Sequence, residues 1–154
     1  MTDEDWMRLA LAEAEEAHAR GDWPTGAVLV KGGALLARGQ NRQVSQGDPL
    51  LHAEPEALRL ACAAHGPDAA RGATLYCTME PCPMCAGALQ LAGVATLVLA
   101  LRHARLRRSD LGSYSVERFC ALTGHAMALR DGVLEADYLA LRLRWGRDQV
   151  HQQP

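Results

Sequence analysis

The run Thr96-Leu97-Val98-Leu99-Ala100-Leu101 carries no charge and no polar alternation. A strand with one face in water alternates apolar and polar residues, so this run is a strand covered on both faces. The stretch Ala73-Thr74-Leu75-Tyr76-Cys77-Thr78 reads the same way. Helical patterns fall at 83–92, 116–122 and 135–145, with one more strand pattern at 126–130. Strands that alternate with helices and need cover on both sides predict an α/β fold, a three-layer α/β/α sandwich.

The preceding stretch fits that plan. Thr2 followed by Asp5 resembles a capping box with Asp in place of Glu, and Trp6, Leu9, Ala10, Glu13, Ala14 and Ala17 continue at helical spacing to Gly21. Short apolar runs at 26–30 and 34–37 flank Lys31-Gly32-Gly33, which predicts a β-hairpin. Leu58, Leu60, Ala61 and Ala64 belong to a further helix that stops at Gly66-Pro67. No repeat, low-complexity tract or linker interrupts the chain, so one domain over 1–154 is expected.

A net charge of −2 on 154 residues argues against the strongly basic surface common in nucleic-acid binders and points to a small-molecule partner. The acidic Met1-Thr2-Asp3-Glu4-Asp5 lacks the features of a signal peptide, and no apolar stretch approaches the ~18 residues of a membrane span. A cytoplasmic chain without membrane contact is expected. Its 5 cysteines are an odd number, and Cys82 and Cys85 form a Cys-x-x-Cys pair, which suggests metal or redox chemistry before a disulfide framework. Cys62, on the inner side of its helix, Cys77 in a strand and Cys120 in a short helix read as small buried hydrophobes.

Two clusters carry chemistry: His52-Ala53-Glu54 and Pro81-Cys82-Pro83-Met84-Cys85. Each alone is ordinary. Proline is tolerated in the first turn of a helix, so Pro55 places a helix start beside His52 and Pro83 places another beside Cys82. Cys82 and Cys85 then lie about one turn apart and can face a common point. Two helix amino termini favour thiolate and developing negative charge. Three ligands, His52, Cys82 and Cys85, would hold one Zn²⁺ per chain and leave a fourth position open for water, as in catalytic and unlike structural zinc. Glu54 would carry protons from water to a ring nitrogen and then to a departing amine. Were Cys77 a fourth ligand, the site would be closed and structural.

Together the clusters match the His-x-Glu and Pro-Cys-x-x-Cys signature of zinc nucleobase deaminases. Over 9–145 the chain resembles the cytidine deaminase superfamily, in the branch of tRNA adenosine deaminases, fungal-type cytosine deaminases and bacterial guanine deaminases. The resemblance extends to Pro24-Thr25-Gly26-Ala27-Val28-Leu29-Val30, Gly39-Gln40-Asn41-Arg42, Asp48-Pro49 and Thr74-Leu75-Tyr76-Cys77-Thr78-Met79-Glu80. It implies a central five-stranded mixed sheet, a homodimer, and hydrolytic release of ammonia. It also implies substrate contacts from Asn41, from the backbone N–H groups of Ala53 and Cys82, and from Glu80 and Pro81. The alternative for Asn41, beside Gly39, is an Asx-turn residue.

The substrate depends on what differs. The tRNA enzymes carry a Gly-Ala-Ala-Gly-Ser type segment after the fourth strand and a lysine-rich last helix. Here the first place holds Arg102-His103-Ala104-Arg105-Leu106-Arg107-Arg108, the chain ends in a nearly neutral 146–154, and Lys31 is its one lysine. The basic segment reads either as a grip on phosphate or as a solvated loop balanced by acidic neighbours. Tyr114, Phe119 and Trp145 read as pocket or lid aromatics or as core, with Tyr114 a candidate substrate contact. The leading expectation is deamination of a small nucleobase-like heterocycle such as guanine, cytosine or a related aminated ring. The alternatives are a tRNA adenosine deaminase and a non-catalytic zinc module.

Overall fold

A computed structural model describes residues 1–108 and 110–148. The elements in chain order are α1 (Asp3–Arg20), β1 (Gly26–Lys31), β2 (Ala34–Gln40), α2 (Ala53–His65), β3 (Thr74–Met79), α3 (Pro83–Ala92), β4 (Thr96–Leu101), a short 3₁₀ turn (His103–Leu106), α4 (Val116–Thr123), β5 (Ala128–Arg130) and α5 (Glu135–Trp145). Ser109 and the end of the neutral tail, residues 149–154, lie outside the described residues.

The strands form one sheet in the order β2-β1-β3-β4-β5. β1 pairs antiparallel with both β2 and β3, whereas β3–β4 and β4–β5 are parallel. This is the five-stranded mixed sheet of a three-layer α/β/α sandwich. Alternate residues of the central strands feed two cores. Ala27, Leu29, Leu75, Cys77, Leu97 and Leu99 pack with α2, α3 and α4. Val28, Val30, Tyr76, Val98 and Ala100 pack with α1 and α5 on the other face. The uncharged run 96–101 is therefore apolar because both of its faces are covered.

Thr2 caps α1 through a complete capping box with Asp5. The hairpin forms as expected, with a register shift between Leu29 and Val30, and β2 continues past Ala37 to Gln40. That extension was hidden by its polar composition. Its end is buried because α2 lies across it at a distance that only glycine permits: a Cβ on Gly39 would meet the Ala53 carbonyl oxygen at 2.0 Å and the Ala57 nitrogen at 2.7 Å.

The same close approach sets which face of α2 is buried. Its buried stripe is Ala53, Glu54, Ala57, Leu58 and Ala61, whereas Leu60 is exposed and Ala64 lies outside the stripe. Small residues face the sheet because the backbones nearly touch. Cys62 consequently sits half-buried beside the Pro67 carbonyl oxygen, not on the inner side of the helix. Cys77 is fully buried, and Cys120 is half-buried against the core. β5 is shorter than 126–130, covering Ala128–Arg130 at the sheet edge. No helix among the described residues is long and apolar enough to cross a membrane.

Candidate metal centre and active site

The parallel pair β3–β4 directs its carboxyl ends to one edge, where Met79 pairs with Leu101 and the Glu80 amide donates to the Leu101 carbonyl oxygen at 2.9 Å. Open α/β sheets bind ligands at such strand ends. The amino termini of α2 and α3 converge there, and the N-cap residues are His52 and Cys82 themselves. Pro55 lies in the first turn of α2 and Pro83 opens α3, as the proline argument required. Neither cap uses its side chain on the helix, which leaves the imidazole and the thiol available.

His52 Nδ1 lies 3.7 Å from Cys82 Sγ and 3.4 Å from Cys85 Sγ. Tetrahedral zinc with ordinary Zn–N and Zn–S bonds would hold nitrogen and sulfur about 3.6 Å apart. The three ligand atoms all fall within 4.8 Å of one another. This donor set fits zinc, and it is the three-ligand kind. Cys77 is not part of it among the described residues.

The local charges suit a cation. A hydrogen bond from the Cys85 thiol, together with His52, holds the Cys82 thiol down to about 4 despite burial. Cys85 is pushed up by donating that bond and by burial. His52 is raised, chiefly by its hydrogen bond to Cys82.

Glu54, the second residue of α2, is 3% exposed, and its Oε2 has no hydrogen-bond partner. Burial raises its pKa above the usual carboxylate range. A carboxyl oxygen buried without a partner is costly, and this one lines the same cavity as His52 and Cys82.

A cavity of 260 Å³ opens on these groups, lined among others by Trp23, Asn41, His52, Glu54, Glu80 and Cys82. Asn41 forms the expected Asx turn and also lines the cavity. Its Oδ1 accepts from the Gln43 amide at 3.0 Å in an Asx turn, its Nδ2 donates to Gln43 Oε1 at 2.7 Å, and it still lines the cavity. Glu80 is buried and ion-paired with Arg102, and burial outweighs that partner to raise its pKa. Ala53 and Pro81 lie outside the cavity lining: Ala53 is fully buried in the core, and the Pro81 carbonyl accepts a 2.6 Å hydrogen bond from Tyr114. Tyr114 itself lines an adjoining cavity of 680 Å³ that shares Glu80, His103 and Arg108 with the first.

Three arginines of the basic segment pair with acids. Arg102 pairs with Glu80, Glu117 and Asp131, Arg105 with Glu135, and Arg108 with Asp110. Phe119 packs on the core. Trp145 stacks on Trp23, with ring centroids 4.9 Å apart.

Several residues that shape the site carried no sequence signal. Asp22 accepts hydrogen bonds from the Val44 and Ser45 amides, the Ser45 hydroxyl and Arg20, fastening the loop after Asn41. Arg142 of α5 reaches the cavity from the far layer, paired with Asp148. Neither belongs to a spaced motif, and both meet the site only through the fold.

The model described as the cytidine and deoxycytidylate deaminase zinc-binding region matches residues 1–101. The chain belongs to this family. Its homologues in the same superfamily are tRNA-specific adenosine deaminases and a guanine deaminase. It is 45% identical over 96 residues to the tRNA-specific adenosine deaminase of Bacillus subtilis, a match covering 62% of the chain and 60% of that protein's length. It is 39% identical over 104 residues to the guanine deaminase of Bacillus subtilis, covering 67% of each. A solved structure from work on A-to-I editing by tRNA:A34 deaminases superposes with a TM-score of 0.78 at 36% identity, covering 89% of this chain and 98% of that one.

Proposed function

We propose that this deaminase-family protein is a zinc-dependent aminohydrolase whose substrate is a purine amine, foremost an adenosine presented by a tRNA loop. The observation that carries the hydrolytic reading is the buried, unpartnered Oε2 of Glu54 beside the three ligands His52, Cys82 and Cys85. Zinc, when bound there, lowers the pKa of water and supplies a nucleophile at neutral pH. Glu54 takes the proton that the water loses and delivers it to the ring nitrogen, then takes the proton of the hydroxyl now on the ring carbon and delivers it to the amine as the C–N bond breaks. The water oxygen ends as the product carbonyl and ammonia leaves, so each turnover consumes one water.

The tRNA reading is supported by the similarity to tRNA-specific deaminases in sequence and in fold. It displaces the free heterocycle that the net charge suggested. Net charge describes the average surface, whereas a loop that offers one unstacked base needs only a local fit. Guanine is the second reading, favoured by the carboxylate partners of Arg102, Arg105 and Arg108, which leave less charge to grip a phosphate. A homodimer, implied by the resemblance, is part of the proposal and is checked by sedimentation equilibrium.

The deciding experiment measures ammonia release by zinc-loaded protein from an anticodon stem-loop RNA containing adenosine, free guanine, cytosine and free adenosine. Turnover of the RNA alone supports the proposal, and turnover of guanine alone replaces it with the second reading. Glu54→Gln should retain zinc and lose turnover; an active Glu54→Gln protein would leave the proton-carrier role without support.

A further inference from the structure

His103 stands at the exit of β4, the first residue of the 3₁₀ turn, on the wall between the 260 Å³ and 680 Å³ cavities and lining both. It is 6% exposed, and neither Nδ1 nor Nε2 makes a well-formed hydrogen bond, although the Pro81 backbone lies beside the ring. A buried polar atom left without a partner costs about 1–3 kcal/mol, and here two such atoms sit on one ring. Nearby groups are already committed: the Tyr114 hydroxyl, on a ring 6.0 Å away, is spent on Pro81, and Glu80 on Arg102. Burial and the neighbouring Arg108 hold the imidazole down to about 4, so it is neutral at pH 7 and offers one N–H donor and one acceptor nitrogen.

The same cavity contains Glu54 and Asn41. Asn41 gives one amide hydrogen and one lone pair to Gln43, so it is half used before any ligand arrives. With Glu54 assigned to proton transfer, the two ring nitrogens of His103 are the buried side-chain atoms of this cavity left without a partner and free to read a heterocycle. We infer that His103 is a substrate-binding residue, hydrogen-bonding the ring edge of the amino-heterocycle through a ring nitrogen or carbonyl oxygen. The inference rests on the deaminase reading above and names a residue that reads its substrate. In the free protein His103 is a stability defect that the ligand repairs.

The test uses the zinc-loaded Glu54→Gln protein, in which complexes persist, with and without His103→Leu or His103→Asn. Binding of the stem-loop RNA, guanine and adenosine is measured by calorimetry, and the His103 ring ¹⁵N resonances are followed by NMR. For the ligand that the parent binds, His103→Leu should weaken binding about tenfold, as loss of one buried hydrogen bond implies, while the unliganded variant melts at the same or a higher temperature. His103→Asn should recover part of the affinity, and the parent's ring resonances should shift on binding. Affinity within twofold in His103→Leu, with unmoved resonances in the parent, overturns the inference alone. A parent that binds none of the three overturns the functional reading and this inference with it.

Discussion

The Tyr114 hydroxyl donates a 2.6 Å hydrogen bond to the carbonyl oxygen of Pro81, the residue that precedes the ligand Cys82. It joins the segment before α4 to the loop that sets the cap of α3. Tyr114→Phe keeps the ring and removes only this bond, at a cost of about 1–2 kcal/mol. Urea unfolding should show the loss with zinc content unchanged; an unaltered midpoint would mean that the ring alone matters.

Gly39 and Gly87 should respond oppositely to alanine. A Cβ on Gly39 meets the backbone of α2, which must move and take Glu54 with it, so Gly39→Ala should cost about 3 kcal/mol. Gly87, in the interior of α3, would meet only Phe119 at 3.9 Å, so Gly87→Ala should add about 0.5–1 kcal/mol. Denaturant midpoints of the two variants against the parent give both signs.

Asp22 sets a pH dependence. Burial raises its pKa, but hydrogen bonds from Ser45, Arg20 and Val44 together outweigh burial and lower it below the usual value. A lowered native pKa contributes stability above the unfolded value of about 3.9 that is lost as pH falls through the native one. The stability gap between the parent and Asp22→Asn should therefore be widest near neutral pH and shrink on acidification. A constant gap from neutral to pH 3 would contradict this.

Metal removal should unmake the centre. His52→Ala and Cys85→Ser should lower zinc from one per chain towards none, and chelation should lower the melting temperature of the parent. Zinc added back at 1,000 times its dissociation constant should restore about 4 kcal/mol. Elemental analysis beside thermal melting reads both.

Arg142 and Asp148 are both buried, bonded at 2.7 Å through Nε, with Trp145 stacked over the guanidinium at 4.8 Å. Asp148→Ala strands a buried charge at a cost of about 3–5 kcal/mol. Arg142→Met combined with Asp148→Leu should recover most of it in the same unfolding assay. Failure to recover would show that the pair contributes more than mutual neutralisation.

What could be read from residues alone was whatever local spacing encodes. The runs at 73–78 and 96–101, the prolines at 55 and 83, and the pairings of His52 with Glu54 and Cys82 with Cys85 determine strands, helix starts and a three-ligand centre, because each depends on neighbours within a turn or two. The buried face of α2 did not follow, since Leu60 looks as apolar as Leu58 until Gly39 brings the helix backbone onto β2. The role of the basic segment did not follow either: Arg102 becomes a neutralised hub only when Glu80, Glu117 and Asp131 arrive from three other places in the chain. His103, Asp22 and Arg142 carry no motif. Their meaning comes from burial and from missing or distant partners, and those exist only once the layers close around the ends of β3 and β4.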